Sequence, residues 1–141
     1  MRKRTLAREC ALQILYQIDI TGQFDDKTMP DFWSSREDVE QVSQSFANQL
    51  VQGVLDHKEA LDKIISQYAT NWRLDRMAVV DRNVLRLSCY ELMFCDDIPP
   101  KVAINEAVDL AKKFSAPESG KFVNGIVDKI KQEKQKHIKD L

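Results

Sequence analysis

Glycine and proline are scarce, four of each in 141 residues, which argues against a fold of short strands and tight turns. The three cysteines, Cys10, Cys89 and Cys95, form no CxxC pair, and an odd number closes no disulfide framework. Cys10 and Cys89 fall at apolar helical positions and read as small buried hydrophobes in a reducing compartment. The two histidines, His57 and His137, have no Cys or His at metal-ligand spacing. There is no G-x-S-x-G elbow, Walker loop or GxGxxG, and nothing pairs a nucleophile with a base. The acidic pairs Asp25-Asp26 and Asp96-Asp97 lie beside turns and read as solvated. No catalytic residue, metal ligand or cofactor is therefore nominated, and enzyme is the weakest class. No apolar run approaches the roughly 20 residues of a membrane span. The start also lacks the apolar core of a signal peptide, so the sequence predicts a cytoplasmic protein.

What remains is helical periodicity, and it predicts an all-α, single-domain bundle of six to seven helices. The first helix is expected over about Thr5 to Ile20, with Ala7, Cys10, Ala11, Ile14 and Ile18 on one stripe and Thr21-Gly22 as its stop. An irregular acidic connector follows, whose Phe24, Phe32 and Trp33 should pack onto the body. A second helix opens near Ser35 with the stripe Val39, Val42, Phe46, Leu50 and Val54, and a third turns Leu61, Ile64, Ile65 and Tyr68 inward. The segment RMAVVDRNVLRLSCYELMF is apolar on most sides and belongs at the centre, with Asp81 marking a change from a short helix to a longer one. After Pro99-Pro100 comes KVAINEAVDLAKKF. Then SAPE reads as a capping box, Ser115 at the N-cap and Glu118 three residues on. The tail KQEKQKHIKDL has no apolar stripe and reads as a frayed basic end, 131–141. The break at 69–76 divides the domain into an N-terminal half, about 1–70, and a C-terminal half, about 71–135.

The net charge of −1 is unevenly spread. Residues 1–20 hold four cations and two acids, residues 100–141 nine lysines and six acids, and the middle eight cations against fourteen acids. A polyanion would have to meet the ends. Arg2, Lys3, Arg4 and Arg8 crowd the start of the first helix, where the dipole disfavours cations. Two readings stand: a solubilising arm, or an anion site in which backbone N–H groups and side chains attract phosphate together. On the second reading Arg8 should face away from the apolar stripe. The stretch KKFSAPESGKFVNG offers a second surface: Lys113 and Lys121 to follow a phosphate backbone, Phe122 to stack, Asn124 to read a base edge. Phe122 is equally a core candidate. On the central helix, Arg82, Arg86 and Glu91 read either as an internal salt bridge or as a charged interface rim.

The runs NWRLDRMAVVDRNVLRLSCYEL and PPKVAINEAVDLAKKFSAPESGKFVNGIVDKI, with the opening RTLARECALQILYQ, resemble the NusB family of bacterial transcription antitermination factors. The resemblance covers residues 4–20 and 71–130 closely. It implies an all-α NusB-like fold of two helical subdomains that binds single-stranded boxA RNA of ribosomal RNA leaders. The binding is shared with the ribosomal protein NusE, and the complex carries RNA polymerase through terminators in ribosomal RNA operons. It implies RNA contact at Arg2, Lys3, Arg4 and Arg8, and around Lys113, Lys121, Phe122 and Asn124. The partner-facing surface it implies is Tyr16, Arg76, Arg82 and Glu91. A homodimer is among the states known in the family. The same module begins some ribosomal RNA cytosine methyltransferases; the chain ends at Leu141 without a cofactor-binding domain, so the stand-alone factor is the better match. A protein-binding helical adaptor without direct RNA affinity, or an accessory module of such a methyltransferase, are the alternatives.

Overall fold

A computed structural model describes residues 3–139, with side chains through Lys134. Among these residues there are seven α-helices and no strand. They are α1 (Lys3–Thr21), α2 (Thr28–Ser34), α3 (Gln41–Asp56), α4 (Lys58–Tyr68), α5 (Val79–Phe94), α6 (Pro100–Phe114) and α7 (Ser119–Lys139), with a 3-10 turn at Leu74–Arg76 before α5. None is long and apolar enough to cross a membrane.

The central segment behaves as its composition requires. Val84, Leu85, Leu87, Cys89 and Leu92 are buried on successive faces of α5, and α1, α3, α4, α6 and α7 all pack against it. The thiol of Cys89, sealed in this core, is pushed up to about 12 by burial. Helix α5 approaches α3 so closely that a Cβ on Gly53 would fall within 2.0–2.5 Å of the Tyr90 ring. Only glycine permits that contact. Helix α1 ends where Gly22, at φ +70°, donates its N–H to the Ile18 carbonyl at 2.7 Å.

Six local expectations change. The connector is not irregular throughout, because the Asp25 carboxylate accepts the Lys27 N–H at 2.9 Å and starts the short helix α2. Trp33 on α2 is buried, its indole N–H donating to Asn48 at 2.8 Å, whereas Phe24 stays 40% exposed. Helix α3 starts at Gln41, not near Ser35; Val39 is buried ahead of it, and Val42 is exposed and outside its stripe. The break in the central segment falls at Met77 and Ala78, which are extended, so Asp81 sits in the first turn of α5. The SAPE box does not cap: Ser115 closes α6, and α7 begins at Ser119, whose hydroxyl lies 3.1 Å from that of Ser115. Finally, the basic tail does not dissolve at 131, since α7 continues to Lys139 and the Lys134 ammonium donates to the Leu92 carbonyl.

Candidate nucleic-acid interface

The first turn of α1 has no acid, so Lys3 and Arg4 meet a helix end whose dipole repels them. Both point outward, with side chains 65% and 56% exposed. Lys3 pairs with Glu40 at 3.0 Å, and Arg4 lies 3.8 Å from Asp97 with its guanidinium 4.4 Å from the centre of the Phe46 ring. Exposed pairs of this kind contribute about 0–1 kcal/mol, so phosphate can replace the carboxylates at little cost. Arg2 lies outside the described residues.

Arg8, one turn further, does the opposite of what was expected. It is 2% exposed and faces the interior. Its Nε and Nη2 donate to the Glu91 carboxylate at 2.7–3.0 Å, and Nη1 donates to Glu106 at 3.0 Å. Thr5 adds a hydroxyl donor to Glu106. The physical reason is the width of the buried stripe: Leu12 and Leu15 are as buried as Ala7 and Ala11, and Arg8 lies on their side of the helix. Desolvation opposes the Arg8 charge, but hydrogen bonds and charges from Glu91 and Glu106 outweigh it and hold the guanidinium more firmly protonated than usual. Burial pushes the Glu91 carboxyl up, against the pull of Arg8, and the nearby Glu106 charge adds to the rise. Glu91, also 2% exposed, is thus an internal partner of Arg8 and not part of an exposed surface.

The other basic residues lie at the end of α6, which reaches α1, and at the start of α7. Lys113, 60% exposed, reaches Glu9 of α1 at 2.9 Å. The stem of Lys112 lies over Gly120, where a Cβ would come within 2.8–2.9 Å of it, so the end of α6 and the start of α7 touch. Lys121 and Asn124 on α7 are exposed. Phe122 is half-buried against the core, and its ring meets the Trp72 ring edge-on at 5.7 Å between centres. These contacts connect α1 through Lys113 and Lys112 to Lys121, Phe122 and Asn124.

The residues expected to face a partner separate. Tyr16 is 44% exposed, one turn ahead of Asp19, and Arg76 is exposed on the 3-10 turn. Arg82 forks onto Asp19 through two 2.7 Å hydrogen bonds, while Arg86 bridges Asp19 and Asp62 at 3.1 and 2.8 Å. The internal reading therefore holds for these arginines. They also form one wall of an open cleft of about 790 Å³, opposite Trp72 and Arg73. The hydrogen bond from Arg82, with Asn83 and Arg86 adding to it, draws the Asp19 carboxyl down to about 2 despite its burial. Trp72, 59% exposed, was not singled out from sequence; a tryptophan inside the polar break ATNWRLDR was the signal available.

Fold and surface together define an all-helical binding module, with exposed cations and a charged cleft walled by Asp19, Arg82 and Arg86. The chain belongs to the NusB family, whose model matches residues 5–132. It is 52% identical over 128 residues to the transcription antitermination protein NusB of Anaeromyxobacter dehalogenans, covering 91% of this chain and 89% of that protein. The NusB of Bacillus licheniformis is 47% identical over 131 residues, covering 93% and 98%. Among solved structures, the antitermination factor chain crystallised as NusB and NusE with double-stranded RNA superposes with a TM-score of 0.85 at 32% identity, over 94% of this chain and 98% of that one.

Proposed function

We propose that this chain is a transcription antitermination factor that binds boxA-type single-stranded RNA of ribosomal RNA leaders together with the ribosomal protein NusE. In this role it helps RNA polymerase, in the cytoplasm, to read through terminators. It performs no catalysis of its own. The observation that carries the reading is the likeness along nearly the whole chain to a protein crystallised with NusE and RNA. The outward Lys3 and Arg4 and the exposed Lys113 and Lys121 support it, because they supply positive charge that no core role consumes. Arg2, Phe122 and Asn124 complete the RNA surface in this reading. Arg8 supports it indirectly, by anchoring the helix that presents Arg4. Tyr16, Arg76 and Arg82 line the side offered to NusE.

Cations give affinity and steering, while base choice has to come from groups that touch base edges. Fluorescence anisotropy on a boxA oligonucleotide and a scrambled control, each with and without NusE, tests the proposal. Sequence preference that strengthens with NusE is the expected result. With three to five phosphates contacted, the log–log salt slope should lie at about −2 to −4. Equal binding of both oligonucleotides, unaffected by NusE, would leave only a general polyanion binder.

A further inference from the structure

A hollow of about 240 Å³ lies between the 3-10 turn, the start of α5 and the start of α7. Trp72 and Phe122 form two of its walls, with Arg76, Ala78, Asp81 and Ser119 around them. Two features of it are unexplained by folding. The Trp72 indole is 59% exposed, although it is the largest apolar side chain of the segment and its neighbours Ala69 and Met77 are buried. Its ring meets that of Phe122 edge to face, at 80°, an ordinary aromatic pair that presents a corner to the hollow. Asp81 engages Ser119 through Oδ2 at 3.3 Å, but its Oδ1 is buried without any hydrogen-bond partner. An unpaired buried carboxylate oxygen is costly, and in native proteins it calls for an explanation.

We infer that this hollow receives one unpaired RNA base bearing an exocyclic amine, stacked on Trp72 against Phe122 and donating its amine to Asp81. The inference rests on the RNA-binding reading above and concerns where base choice arises. Stacking on an aromatic face accepts any base, so Trp72 contributes affinity. Selection falls to the carboxylate, which accepts the amine of cytosine and opposes the carbonyl that uracil has at the same position. The second torsion of an aspartate is soft, so a small turn presents Oδ1 to the hollow. Arg76, exposed at the rim, is placed to hold the adjoining phosphate. A peptide from a protein partner fits the aromatic corner less well, because the orphan acceptor asks for a donor lying in the plane of a stacked ring.

The chain has two tryptophans, and Trp33 is buried and hydrogen-bonded, so the indole N–H signal of Trp72 can be followed alone. In a heteronuclear NMR titration, Trp72→Phe identifies that signal. Cytidine 5′-monophosphate should shift it at lower concentration than uridine 5′-monophosphate, and Asp81→Asn should erase the difference. In the anisotropy assay, Trp72→Ala should weaken single-stranded RNA binding about tenfold, with the salt slope unchanged. If both nucleotides leave the Trp72 signal still and neither variant alters salt-dependent RNA binding, the pocket is wrong while the RNA-binding reading stands. If the wild-type chain fails to bind RNA even with NusE, it is that reading that falls. A Trp72 signal that moves with NusE and not with nucleotides assigns the hollow to the protein partner and overturns the inference.

Discussion

The two ends of α1 are fastened to α5 by charge clusters of opposite layout. Near the N-terminus, α1 supplies the arginine, Arg8, and α5 and α6 supply the acids Glu91 and Glu106. Near the C-terminus, α1 supplies the acid, Asp19, and α5 supplies Arg82 and Arg86. The first cluster is sealed at its Arg8–Glu91 pair, where the side chains are 3% and 2% exposed, with Glu106 at 17% on its rim; the second is open at one side, with Arg82 and Asp19 at 17% and 13%. Burial strengthens the attraction between charges but removes the hydration that stabilised each of them separately. The sealed cluster is therefore committed to holding helices together. The open one retains water along an edge and can exchange contacts with whatever enters the cleft.

Removing one partner should separate the two most sharply. Glu91→Ala leaves Arg8 buried with Glu106 alone and should cost about 3–5 kcal/mol of unfolding free energy in urea titration. A loss below about 1 kcal/mol would show that Glu106 suffices and that the cluster is less sealed than its geometry says. Replacing both members, Arg8→Met with Glu91→Leu, should recover most of that loss, since an apolar pair of similar volume avoids the desolvation cost. RNA binding should follow Arg4 and survive this double replacement.

At the open end, Asp19→Asn should cost about 2 kcal/mol at neutral pH, because the charge-assisted hydrogen bonds from Arg82 weaken. The pH dependence has a definite sign. The Asp19 carboxyl titrates at about 2 in the folded protein, below its ordinary 3.8. Its contribution is therefore fully present above about pH 4 and is lost as pH falls toward 2. Thermal melts between pH 5 and 2 should show that acid-side loss in the wild type and a shallower one in Asp19→Asn. Glu91, whose carboxyl is raised, has the opposite slope: protonation there accompanies folding rather than opposing it. The smallest effect is expected at the surface. Lys113→Ala, which removes an exposed pair with Glu9, should change stability by less than about 0.5 kcal/mol while lowering RNA affinity.

Periodicity reveals the longer helices of this chain because each buries one continuous stripe, whereas α2 buries only Trp33 and escapes it; α5 is recognisable as central because its stripe goes all the way round. It fails where side-chain direction depends on neighbours far along the chain. Arg8 looked solvent-facing because a charged residue at the edge of an apolar stripe ordinarily is. What turns it inward is a pair of acids 83 and 98 residues away, which no local window contains. Leu12 and Leu15 were the one local sign, since they widen the stripe to include it. The SAPE stretch failed for a related reason: Ser115 is already committed to closing α6. The cations Lys3, Arg4, Lys113 and Lys121 were legible because exposure is the default for lysine and arginine, whereas Trp72 was not, because exposure is the exception for tryptophan.

The 98 residues between Arg8 and Glu106 also set a clock on the birth of the protein. At about 5–20 residues per second, the N-terminal helix waits some 5–20 s during synthesis before its second acid exists. Until Glu91 appears, 83 residues on, Arg8 is an unpaired cation beside Arg4, so the early nascent chain has a stronger pull on polyanions than the finished protein. Completing α5 and α6 withdraws one of those charges from the surface, so the end that was made first is quietened by helices made much later.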